Sequence, residues 1–195
     1  SALPLRCGFK LRDPAHFVMA ADNNSSEEGP AFLWNWRNDT YHALAGEQTL
    51  NCHDIQWSHE YPGEDGAIWM PMLSADTIGL LNATTGDTLY SYELPHCRDA
   101  NHVQLVEQDA TAMVSCRATN SFLKVDVASK RTTWALGGRW GNFTLYDLDG
   151  RAYAPGTSLW HGQHNAEWFG EQPGNASAGA TVSEVLMFDN AYDEG

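Results

Sequence analysis

The sequence predicts an all-β fold: a β-propeller of four-stranded antiparallel blades, present as an incomplete set. Two observations carry this. Short runs of β-branched and aromatic residues alternate with Gly, Asp, Asn and Thr turns every 8 to 12 residues or so, and few stretches hold apolar residues at helical spacing over three turns. The chain also repeats itself. "HDIQWSHEYPGEDGAIWMPMLSADTIGLLNATTGDTLYSYEL" and "NHVQLVEQDATAMVSCRATNSFLKVDVASKRTTWALGG" each read as four strands in the same order.

The strand candidates are 31–36, 54–59, 67–73, 77–83, 88–94, 102–107, 112–118, 122–128, 132–136, 165–169 and 184–190. In each repeat the first strand carries H-x-x-Q or N-H-V-Q and the second is a hydrophobic run. The third ends in a turn, "NATTGD" or "DVASKR". A third unit opens at "QHNAEWF" and reaches "EVLMFDN", so His53, His102 and His164 open three successive units about 50 to 60 residues apart. The expected division is 1–50 as an N-terminal segment with part of a blade, 51–97 and 98–140 as blades, and 141–195 as a loop with the first strands of a further blade. Propellers close with four or more blades. Two complete blades and pieces of two others therefore imply completion by further sequence or by another polypeptide. A small irregular β-sandwich is the alternative.

With 11 basic and 25 acidic residues the net charge is −14. That disfavours nucleic acid and anionic lipid, which need a basic surface. No run of 18 apolar residues suggests a transmembrane helix, and no basic-then-apolar start suggests a signal peptide. Two features favour an oxidising, secretory history and an extracellular or cell-surface location. N-x-S/T sequons stand at Asn23, Asn24, Asn38, Asn82, Asn142 and Asn175, more than chance placement would give. Four cysteines, Cys7, Cys52, Cys97 and Cys116, have no C-x-x-C spacing and allow two disulfides in three connectivities. In a reducing compartment they would instead be four buried thiols.

In a propeller the inner strand of each blade lines the central channel, so equivalent residues of successive blades converge. That singles out His53 and His164. His161 and His164 form an H-x-x-H pair, but i and i+3 point to opposite faces of a strand and no further ligand follows at a familiar spacing, so no metal is expected. No G-x-S-x-G elbow, P-loop or dinucleotide fingerprint occurs, so no cofactor is expected. "LGGRWGNF" (136–143) reads as a turn after a strand.

The order "HDIQW", "DANHVQL…MVSCRATNSFLKVDVASKRTTWALGG", "WHGQHNAEWF…EVLMFDN" resembles the arylsulfotransferase family, in particular the branch with W-x-L-G-G, Q-H and F-D-N segments. The resemblance spans roughly residues 50 to 191. It implies a six-bladed propeller that moves a sulfuryl group from a phenolic sulfate ester to a hydroxyl acceptor by a ping-pong route without a nucleotide donor. His164 matches the histidine that is transiently sulfurylated. His53 matches a channel histidine that holds the sulfuryl group, Arg117 an arginine on its oxygens, and Asn101 the Asn of H-x-N-S. A neutral imidazole is a competent nucleophile, and an arginine fork suits a tetrahedral oxyanion. The chain departs from the family at Asp99, where the motif has His, and at His102, where it has Ser. A carboxylate at 99 would repel a sulfate ester. His102 is not expected to substitute, because neighbouring strand residues face opposite sides. The competing reading is a non-catalytic secreted propeller that serves as a structural or interaction module of an extracellular assembly. A third is a propeller that holds an anion or sugar in its channel without turnover.

Overall fold

The computed structural model describes residues 8–21, 28–61, 65–74, 76–173 and 181–190. The strands are β1 (Phe9–Asp13), β2 (His16–Ala20), β3 (Glu28–Gly29), β4 (Ala31–Asn35), β5 (Thr40–Leu44), β6 (Leu50–Asn51), β7 (Gln56–Trp57), β8 (Ala67–Pro71) and β9 (Thr77–Asn82). They continue with β10 (Thr88–Glu93), β11 (Ala100–Val106), β12 (Thr111–Cys116), β13 (Ser121–Asp126), β14 (Arg131–Leu136), β15 (Leu145–Tyr146), β16 (Ala152–Tyr153), β17 (His164–Pro173) and β18 (Thr181–Phe188). Three four-stranded antiparallel sheets form in chain order: β1-β2-β4-β5, β7-β8-β9-β10 and β11-β12-β13-β14. β17 and β18 form a further antiparallel pair and begin a fourth; β15-β16 is a small hairpin-like pair, and β3 pairs with β6 antiparallel across the intervening β4 and β5.

The N-terminal segment, expected to supply part of a blade, forms a full four-stranded sheet. Of its strands only β4 falls on an expected run, 31–36; the others carry exposed or half-buried residues that break up a hydrophobic run. "TYHAL" is exposed over four of its five residues, and Phe9 and Leu11 are more than half exposed.

Period-two alternation explains the stacking. On β8, Ala67 and Trp69 join Ile78, Leu80, Val103, Leu105, Val114 and Leu123 in one core between the second and third sheets. Ile68 and Met70 point the other way, into a core with Val18, Ala31, Ile55 and Leu81 against the first sheet. Met113 and Phe122 on the far face of the third sheet meet Ala166 and Trp168 of β17. The middle sheets are thus buried on both faces, which is why "AIWMP" and "TAMVSC" are buried throughout.

Neighbouring sheets share no backbone ladder. Side-chain clasps join them. Gln56 donates to Leu105 O at 3.2 Å and accepts from Leu105 N at 2.9 Å. Gln104 does the same to Trp168 O and N, at 3.0 and 2.8 Å. Each carboxamide copies a peptide group, satisfying one backbone donor and one acceptor. A second tie is Asp109, 3 % exposed. It accepts from Ser58 Oγ, from His59 N at 3.1 Å and from Trp69 Nε1 at 3.0 Å, drawing the β11–β12 turn onto the preceding sheet.

The repeated clasps fix equivalence. Gln56 aligns with Gln104, so His53 aligns with Asn101 and Asp54 with His102. Leu105 aligns with Trp168, so His164 falls at the His53 and Asn101 position. Among the four cysteines, Cys97 and Cys116 are bonded across the start of β11 and the end of β12. Cys52 is also disulfide-bonded, and Cys7 lies outside the described residues.

Replacing Gln104 by Ala would leave the backbone N–H and C=O of Trp168 without this partner. The expected loss is about 1–3 kcal/mol of unfolding free energy, read by urea denaturation. A loss under about 0.5 kcal/mol, the scale of a neutral surface change, would remove the clasp from the account of stability.

Candidate functional site

The inner strands of the four sheets open on one cleft of about 510 Å³, whose wall includes Lys10, His53, Asp54, His102, His164 and Glu167. Each sheet contributes. Gly8 lets the first strand in: a Cβ there would lie 2.9 Å from Asp54 Cα and 3.0 Å from His53 O. Its N–H bonds Cys52 O at 2.9 Å, and Lys10 then projects across the cleft.

The rings of His53 and His164, from the second and fourth sheets, stand 6.4 Å apart between centroids. His53 is oriented by Asn51, whose Oδ1 lies 2.9 Å from His53 Nδ1 and whose Nδ2 donates to Met72 O at 3.2 Å. The second bond fixes the amide, so its oxygen faces the ring. With that oxygen facing it, Nδ1 carries a proton. His164 is set by its neighbour. Gln163 is fully buried, donates to Cys116 O at 3.1 Å and Ser121 O at 2.9 Å, and its own carbonyl accepts from Asn101 Nδ2 at 2.8 Å. Gln163 thus ties the start of β17 to the third sheet; the sequence did not mark it, although it sits in the quoted "GQHN". Asn101 acts here as its anchor.

His102 corrects the alternation expected of it. The β11–β12 register passes from Ala100↔Cys116 to His102↔Ser115, leaving Asn101 as the extra residue of a bulge. Both Asn101 and His102 are consequently buried, and His102 reaches the cleft. Its Nδ1 lies 3.0 Å from Asp54 Oδ2 and its Nε2 3.4 Å from Glu167 Oε1. Neither nitrogen is in line for a directional hydrogen bond, so charge holds the ring more than bond geometry does. Lys10 Nζ completes the cluster, 3.1 Å from Asp54 Oδ2, 3.0 Å from Val103 O and 3.9 Å from Glu167 Oε1. Lys10, Asp54 and Glu167 were not singled out in the sequence. The D of "HDIQW" and the E of "NAEW" were the available signals, since each follows a channel histidine on an inner strand.

Burial alone would raise the Asp54 carboxyl, but the His102 and Lys10 charges and the bond from Val103 N outweigh it and hold its pKa well below the ordinary range. Burial alone would lower His102; the Asp54 carboxylate, with Glu167, outweighs it and raises the ring. Contact with His102 lowers Glu167 despite partial burial, helped by Lys10.

Arg117 and Asp99 are elsewhere. Arg117 opens a short 3-10 turn after β12, and its Nε donates to Asp99 Oδ2 at 2.5 Å. Arg117 N also bonds Asp99 O at 2.9 Å, and the Cys97–Cys116 disulfide closes the same corner. Neither side chain lines the cleft. The Asp99 carboxylate thus faces an arginine. His161 lies in the loop before β17, exposed, with its N–H on Asp189 Oδ1 at 3.0 Å. Among the described residues no group of three or more His, Cys, Asp or Glu is arranged to hold a metal ion. Of the sequons, Asn38 and Asn142 are exposed and Asn82 is half-buried; Asn23, Asn24 and Asn175 lie outside the described residues.

No family model matches the chain, and no curated protein matches it. Among solved structures it is similar to an auxiliary nutrient binding protein from Bacteroides thetaiotaomicron, with TM-score 0.53 and 13% identity over 92% of this chain and 41% of that one. It is also similar to Kuenenia stuttgartiensis hydrazine synthase, with TM-score 0.47 and 12% identity over 97% of this chain and 51% of that one. A third is a protein of unknown function from Bacteroides caccae, with TM-score 0.36 and 12% identity over 64% and 47%. The chain therefore spans about half or less of the solved chains it matches. The likeness is one of fold: a β-propeller-like series of four-stranded sheets.

The charge cluster gives a pH dependence. His102 titrates higher when folded, so its stabilising share is complete below its ordinary value of 6.5 and is lost as pH rises through the folded value. Asp54 and Glu167 titrate lower when folded. Their shares are complete above their ordinary values of 3.8 and 4.5 and are lost as pH falls through the folded values. The cluster therefore stabilises most between pH 4.5 and 6.5. In His102→Gln the decline in urea midpoint above pH 6.5 is expected to flatten relative to wild type. Parallel profiles would show that His102 is not coupled to its carboxylates.

Proposed function

We propose that the molecule is an arylsulfotransferase-like propeller. It moves a sulfuryl group from a phenolic sulfate ester to a hydroxyl acceptor through His164. The observation that carries this is the meeting of His53 and His164, distant in sequence, with ring centroids 6.4 Å apart on the wall of one open cleft. A His164 ring nitrogen attacks sulfur, the S–O bond to the phenol breaks, and the phenolate departs to take up a proton. The acceptor oxygen then attacks the same sulfur, the N–S bond breaks, and the acceptor's proton is released. His53, held on the facing wall by Asn51, is the ring assigned to take that proton. Gln163 and Asn101 position His164 in this scheme. The resemblance in the inner-strand and "QHN" segments supports the reading, and the disulfide fits an oxidising, extracellular setting. The remaining blades come from further sequence or another chain.

A second reading has its own observation. Lys10, the lysine on the cleft wall, already faces Asp54, and Arg117, the arginine expected on the sulfuryl oxygens, lies off the cleft and faces Asp99. Little positive charge is left for a sulfate ester. This favours a non-catalytic propeller that keeps the inner-strand residues for structure and builds an extracellular assembly.

Incubation with a chromogenic aryl sulfate and a phenol acceptor separates the two. The first reading expects phenol release, a mass gain of one SO₃ group on the peptide containing His164, and a loss of at least about a thousandfold in His164→Ala. No release by wild type across several donors would leave the structural reading. Equal release by wild type and His164→Ala would remove His164 from the chemistry.

A further inference from the structure

After β14 the chain turns back through "LGGRWGNF". Gly137 and Gly138 take φ of +73° and +66°, and Gly141 N bonds Gly138 O at 2.9 Å. Asn142 closes the loop onto the strand. Its N–H donates to Ala135 O at 3.0 Å, and its Oδ1 accepts from Ala135 N at 3.0 Å. The amide oxygen is therefore committed to the sheet. The other branch of the amide, Nδ2, is the atom to which an N-linked sugar attaches.

Asn142 is exposed, belongs to the N-F-T sequon, and stands on the rim of a cleft of about 440 Å³ outside the channel. That volume lies within the range of small-ligand clefts. Its walls include Trp134, Trp140, Tyr92 and Thr132. Trp140, two residues before Asn142, is 47% exposed and held in place by His96, stacked at 3.9 Å between centroids, and by Arg139, 5.2 Å from the ring. Phe143 is 42% exposed and sets its edge against Trp134 at 5.7 Å. Thr132 Oγ1 has no hydrogen-bond partner among the described residues. The other described sequons differ. Asn38 Oδ1 accepts from Thr40 of its own sequon, and Asn82 Oδ1 from Thr84 and Thr85 within a turn. Neither lines this aromatic cleft.

We propose that Asn142 is N-glycosylated and that its first N-acetylglucosamine folds back into this cleft, with the apolar C–H face of the sugar against the Trp140 region. The sugar covers aromatic surface that solvent otherwise meets, and its hydroxyl and acetamide groups meet the polar rim. This is independent of catalysis, so the aryl sulfate assay does not bear on it.

The test uses protein secreted from a eukaryotic host. Peptide mass spectrometry is expected to find a glycan on Asn142. Thr144→Ala removes the sequon while keeping both Asn142 bonds to Ala135, and is expected to lower Tm by roughly 2–4 °C. Trimming the wild-type glycan to a single sugar with an endoglycosidase is expected to keep the wild-type Tm, because only the first sugar is packed. The loss on Thr144→Ala is expected to shrink by at least half in a Trp140→Ala background. An unmodified Asn142 overturns the proposal. So does an unchanged Tm in Thr144→Ala, a fall in Tm on trimming to one sugar, or an undiminished loss in the Trp140→Ala background.

Discussion

A glutamine side chain standing in for a peptide bond is the interaction on which the arrangement depends. Separate sheets packed face to face have no common ladder, and apolar contact alone does not fix how far one slides along another. Gln56 and Gln104 remove that freedom, because a carboxamide meets one backbone N–H and one C=O at the same time. Glutamine has the reach that asparagine lacks. Once Leu105 and Trp168 are fixed, the residues before them on the inner strands are fixed too. His53 and His164 come to face one another as a result.

The middle of the molecule was legible strand by strand, whereas in the first sheet only 31–36 was, for a single reason. A sheet covered on both faces must be apolar at successive positions, so "AIWMP" and "TAMVSC" stand out. The first sheet has one face toward solvent. There Phe9, Phe17 and Trp34 form an aromatic row, and polar residues interrupt the pattern. Period and turn residues gave the repeat, and the repeat gave the convergence of His53 and His164. Periodicity could not show the bulge at Asn101, since one added residue reverses the facing of all that precede it. Strict alternation misplaced the facing of His102 for that reason. Nor could it show that Arg117 is engaged by Asp99. Those two are 18 residues apart and meet only because a disulfide and a tight 3-10 turn fold the corner.

The chain carries far more acid than base, yet its inner charges balance locally. Lys10 crosses from the first sheet to touch groups of the second, third and fourth. Protonated His102 and Lys10 together match Asp54 and Glu167 in number. Loss of one member of such a quartet is strongly destabilising, because the partner is then left without its counter-charge. Whatever enters the cleft meets charges that are already paired with one another across the four sheets.

Burial on both faces of the middle sheets has a consequence for how the molecule comes apart. Each sheet leans only on its neighbours, so cohesion is close to a sum of nearest-neighbour contacts, as in solenoids. The first sheet and the β17–β18 pair each have an outer face with large exposed apolar groups, Phe9 and Leu11 on one and Phe169, Leu186 and Phe188 on the other. While those faces are not covered by the further blades proposed above, opening costs least there and most at the junction of the second and third sheets, where Trp69 and Leu123 share one core. Amide exchange would be graded along the stack, slow in β8, β12 and β13 and fast in β1, β5 and β18. The cleft, which draws one wall from each sheet, then loses its Lys10 and His164 sides before the fold as a whole gives way.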